Sequence, residues 1–172
     1  MGEGVELVYT PTRADVADAV GVQMKHGWFR WVLRVMRIVA VLAALVLILE
    51  LFGPGGPKPA GAARMAGFVL LLVVLGPLAR WLTTRQMYAL VGRQGEFRAR
   101  VDGDGVRWTT RDSEIVQRWQ LMNRYAETPT QFVLLSADKG GVGVGALPKR
   151  GFADPADVDR LREVLDRNLT RL

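Results

Sequence analysis

The chain contains no cysteine, which excludes a disulfide framework, a thiol nucleophile and a thiolate metal site. Its single histidine, His26, has no partner motif and suits an interfacial position better than acid–base work. A Ser/His/Asp set, a metal-spaced His/Glu cluster and a phosphate loop opening a helix are all missing. Nearly all of the acids, among them Asp102, Asp104, Asp112, Glu114, Glu127, Asp138 and those of the last helix, fall in turns or on faces expected to be solvated. No nucleic-acid motif with aromatic platforms on strands occurs either, although the formal net charge is +6. These gaps argue against an enzyme, a cofactor, a bound metal and a nucleic-acid partner.

What the chain does have is two long apolar stretches, 31–52 and 62–82. Their uncharged hearts are Ile38–Leu49 and Met65–Ala79. Between them runs Gly53-Pro54-Gly55-Gly56-Pro57-Lys58-Pro59, whose prolines lack amide donors and whose glycines oppose helix. A helix rises about 1.5 Å per residue and a hydrocarbon core is about 30 Å thick, so spanning takes roughly 20 residues. The first stretch reaches that length when Arg34 and Arg37 snorkel to one interface and Glu50 sits at the other. Trp28, Phe29 and Trp31 at the inner end of the first helix, and Trp81 and Tyr88 at that of the second, supply an aromatic belt. The reading is a transmembrane hairpin with its loop at 53–61. Gly76-Pro77 marks a kink that serves packing.

Basic residues cluster before the first helix (Arg13, Lys25, Arg30) and after the second (Arg80, Arg85, Arg93, Arg98, Arg100). The positive-inside rule then places both termini in the cytoplasm and the Gly/Pro turn outside. The first thirty or so residues are too polar for a cleavable signal peptide.

The flanks divide into an N-terminal unit (1–30), a linker helix (83–94) and a β domain (95–172). Val5–Tyr9 is a short strand on the same side as the β domain, so we expect it to join that sheet. Thr12 then caps a helix with Asp15 as its box partner, burying Val16, Ala19 and Val20 and turning Arg13, Asp15 and Asp18 outward. Residues 96–101 and 106–110 alternate polar and apolar around Asp102-Gly103-Asp104-Gly105, which makes a β-hairpin. That turn lacks the later ligands of a calcium loop. Further strands are expected at 114–119, 124–128, 131–136 and 142–147. Gly141, Gly143 and Gly145 open no helix, so they do not make a dinucleotide fingerprint. Asp154 and Pro155 start a last helix whose Val158, Leu161, Val164, Leu165 and Leu169 form one stripe for packing on a sheet. The fold class is α+β: a membrane hairpin plus a small antiparallel domain capped by a C-terminal helix.

The run Trp119, Tyr125-Ala126-Glu127-Thr128, Phe132-Val133-Leu134-Leu135 and Ala146-Leu147-Pro148-Lys149-Arg150-Gly151-Phe152, followed by a helix, resembles the YcxB-like protein family. The strand–helix start and the two-helix hairpin match that family's layout as well. The resemblance implies a bacterial cytoplasmic-membrane protein whose β domain is a pleckstrin-homology-like, partly open barrel. It brings no defined activity and no catalytic residue.

Two nonenzymatic roles follow. In the leading one, the cytosolic domain binds a protein or peptide, or a second copy, with Trp119, Lys149 and Arg150 as partner-binding residues. Envelope maintenance or resistance to membrane-active agents is the setting. In the alternative, Arg30, Arg34, Arg37, Arg80 and Arg85 hold anionic lipid headgroups. The plainer explanations are topology for the five arginines, a core position for Trp119 and a solvated turn for Lys149-Arg150. A small subunit of a transport complex is a third, weaker role, since two spans make no pathway alone.

Overall fold

The computed structural model describes residues 4–26, 29–53, 59–136 and 144–172. The chain begins with β1 (Val5–Tyr9) and α1 (Arg13–His26) and then forms two long helices, α2 (Phe29–Phe52) and α3 (Pro59–Val91). Six strands follow: β2 (Phe97–Val101), β3 (Gly105–Thr109), β4 (Glu114–Arg118), β5 (Met122–Glu127), β6 (Gln131–Ser136) and β7 (Val144–Pro148). Helix α4 (Ala156–Asn168) and a two-residue strand, β8 (Thr170–Arg171), close it.

Helices α2 and α3 pack side by side, with Leu33 beside Gly76 and Glu50 beside Gly61, an antiparallel hairpin. Their apolar windows have mean hydropathies of 2.6 and 2.0, yet only 6% of each window is buried. A core helix of a water-soluble protein would be covered on its apolar face. Length and composition make both candidate membrane spans. The expected linker helix is not a separate element, because nothing between Leu82 and Val91 breaks a helix and α3 runs through. Its 33 residues extend about 50 Å, some 20 Å more than a hydrocarbon core. Pro77 sits inside α3 without ending it.

The strands form two four-stranded sheets, in the orders β1-β2-β3-β4 and β7-β6-β5-β8. Strand β1 pairs with β2 over its whole length, from Val5 opposite Val101 to Tyr9 opposite Phe97, as expected. Alternation does the rest: Val5, Leu7 and Tyr9 face inward from β1, and Phe97, Ala99 and Val101 from β2. Both sheets share one core with α4, where Tyr125, Phe132, Leu134, Leu147, Leu161 and Leu165 are fully buried. The α4 stripe is the one anticipated, and Asp154 caps it by accepting the Ala156 N–H at 2.8 Å. Strand β8, which runs parallel to β5, was not anticipated; two residues carry no periodicity.

Gly145 has a packing role. A Cβ there would lie 2.9 Å from the Trp108 ring, so its absence lets the indole close over β7. Gly141 and Gly143 lie outside the described residues. At the β2–β3 turn the Asp102 carboxylate accepts the main-chain N–H groups of Asp104 and Gly105, which fixes the turn from within.

Candidate functional site

Helix α1 joins the two halves of the molecule. The Thr12 N–H donates to the Asp15 carboxylate at 2.7 Å and the Asp15 N–H to the Thr12 hydroxyl at 3.3 Å, the expected capping box. The outward placement of Asp15 and Asp18 is corrected, however. Asp15 is 5% exposed and takes both Arg150 amino groups at 2.6 Å. Asp18 accepts from the Thr128 hydroxyl at 2.8 Å and the Gln131 amide at 3.3 Å. The apolar face of α1 packs as read, but partners on β6, the β5–β6 turn and the 148–152 turn draw the two carboxylates in. Burial by itself would raise the Asp15 carboxyl; Arg150 and the two Thr12 bonds outweigh it and hold the group below its ordinary range.

A second polar cluster lies on the other side of that turn. Glu127 is bonded by Lys149 at 2.7 Å, by Arg162 at 2.6 and 2.9 Å and by Arg171 at 2.9 Å. Its side chain is 10% exposed. The Arg162 bonds chiefly, with Lys149 second and burial opposing, hold its pKa down to about 2. Beside it Tyr125 donates to Asp166, and its hydroxyl is pushed up to about 12, by burial first and that carboxylate second.

Lys149 and Arg150, picked out as partner-binding residues, are thus held in ion pairs within the chain. Trp119 is half-buried in a short 3-10 turn (Trp119–Leu121), packs against the core and donates its indole N–H to the Gly103 carbonyl at 3.0 Å.

The headgroup-level residues are arranged differently. At the end of the hairpin nearest the β domain, α1, α2 and α3 enclose a cleft of about 980 Å³. Arg34 and Arg37 enter it from α2, Arg80 from α3 and Lys25 from α1, while Leu33, Leu72, Val73 and Pro77 give it an apolar floor. Arg80 also donates to the Ala17 carbonyl at 3.1 Å. It reaches there because a Cβ on Gly21 would stand 2.9 Å from its guanidinium. Among the described residues no carboxylate lies within ion-pair distance of any of the four cations. Arg85 is apart, its guanidinium 5.4 Å from the Trp81 ring centre. Arg30 falls in the first turn of α2, with its side chain outside the described residues. Lys25 was counted toward topology and not toward the site; its place at the last turn of α1, one short break before α2, was the available signal.

The comparisons agree with the resemblance noted above. No curated protein and no solved structure matches the chain. The model of the YcxB-like protein family matches residues 101–165, from the end of β2 to the third turn of α4. Over that stretch the chain is similar to the YcxB-like protein family.

Proposed function

We propose that this is a membrane-anchored, nonenzymatic protein that holds an anionic phospholipid headgroup in the cleft between α1, α2 and α3. The observation that carries the reading is four cations converging on one cleft beside an apolar floor, with no carboxylate within ion-pair distance among the described residues. Like charges so placed repel one another, and a phosphate group relieves that repulsion while its acyl chains cover the floor. A basic residue near an anionic leaflet contributes about 1 kcal/mol. Both termini lie on the cytoplasmic side in this reading, where positive residues accumulate. Protein recognition through Lys149 and Arg150 is less well supported, since their charges are already met by Glu127 and Asp15.

A ligand that binds only the folded state raises its stability with concentration. The test is thermal melting, followed by tryptophan fluorescence, in nanodiscs of phosphatidylcholine with a rising share of phosphatidylglycerol. The wild-type midpoint should rise with that share. Arg34→Gln/Arg37→Gln should flatten the dependence and Arg85→Gln should keep it. An equal rise with inorganic phosphate in pure phosphatidylcholine would reassign the cleft to a soluble anion, and no dependence at all would refute the reading.

A further inference from the structure

Strand β4 ends its sheet, and among the described residues no strand pairs with its outer side. Natural edge strands are usually guarded by charged side chains, lysine above all, by proline, by a bulge or by a covering element. The sequence of β4, Glu114-Ile115-Val116-Gln117-Arg118, has no proline and no lysine, carries its charges only at its two ends and with opposite signs, and its register with β3 runs without a bulge. Ile115 is 45% exposed and Val116 52%.

The phase of the ladder shows what this edge offers. Thr110 donates its main-chain N–H to the Ser113 carbonyl at 2.8 Å, so these two form a hydrogen-bonded pair. Hydrogen-bonded and non-bonded pairs alternate along an antiparallel ladder. Ile115 and Gln117 therefore direct their main-chain groups at β3, and the Trp119 N–H bond to the Asp104 carbonyl keeps the same phase. Glu114, Val116 and Arg118 direct theirs at the open side.

We propose that β4 pairs antiparallel with β4 of a second copy, in the two-fold register centred on Val116. In that register Val116 stands opposite Val116, and Glu114 of each copy stands opposite Arg118 of the other. Every outward main-chain group of the strand then finds a partner. The charges agree with this choice. Arg118 has no ion-pair partner among the described residues, and Glu114 binds Arg107 through one carboxylate oxygen, which leaves the second for the opposing arginine. Opposite charges placed directly across strands favour a register, and like charges oppose it. The pairing joins two four-stranded sheets into one and leaves the lipid cleft untouched, so it stands independently of the function proposed above.

The absence of cysteine makes the test direct. Directly paired hydrogen-bonded residues have Cα atoms about 5.5 Å apart, within the range a disulfide bridges. Full-length Val116→Cys, oxidised in native membranes, should run largely as a disulfide-linked dimer. Val8→Cys, equally exposed but on the other edge strand of the same sheet, should not. In the Val116→Cys background Arg118→Glu should cut the dimer band severalfold, and adding Glu114→Arg should restore it. Folding of each variant is checked by its melting curve. Cross-linking at Val116 no greater than at Val8, or insensitive to both charge reversals in folded protein, would overturn the proposal.

Discussion

At the scale of single residues, the six-residue stretch Leu147–Phe152 works as a latch. Leu147 is buried in the core, Lys149 bonds Glu127 and Arg150 bonds Asp15. The sequence displayed these cations but not their partners, which lie 22 and 135 positions away. Glu127 gives the sharpest consequence. Its folded pKa is about 2 against an ordinary 4.5, so its contribution is fully present above pH 4.5 and lost as the pH falls toward 2. That difference corresponds to roughly 3 kcal/mol. Urea unfolding of the full chain between pH 7 and 2 should show wild-type stability falling through this window. Glu127→Gln should be less stable at pH 7 and flatter below pH 4.5. Parallel pH profiles would mean that the three cations do not act on Glu127 as described.

At the scale of elements, periodicity made most of the fold legible. The period-two alternation of β1, β2 and β3 and the apolar stripe of α4 were plain in the chain, and each element stands within a residue or two of its expected bounds. What periodicity could not supply was the inward turn of Asp15 and Asp18, because a carboxylate reads as exposed unless its partner is visible. Nor could it show that the linker belongs to α3. The N-terminal strand is the element whose role is easiest to test. Val5, Leu7 and Tyr9 are each under a tenth exposed, and the ladder to β2 fixes all five β1 residues. A chain lacking residues 1–10 should melt several degrees lower, since it opens the core and frees the β2 edge. An unchanged melting curve would show that the pairing contributes nothing.

At the scale of the whole molecule, the two apolar helices and the β domain are tied together by α1. One end of that helix is bonded through Asp15 and Asp18 to the β domain, and the other brings Lys25 to the cleft. The hairpin was evident from composition. The convergence of Lys25, Arg34, Arg37 and Arg80 was not, because it depends on how three helices meet. Whether this convergence holds an anionic lipid is read by native mass spectrometry of the full chain released from mixed-lipid nanodiscs. Wild type should keep phosphatidylglycerol in preference to phosphatidylcholine through mild delipidation. Arg34→Gln/Arg37→Gln should lose that preference while Arg85→Gln retains it. Equal retention of both lipids by wild type, or the same preference in all three proteins, would show that the cleft does not select an anionic lipid.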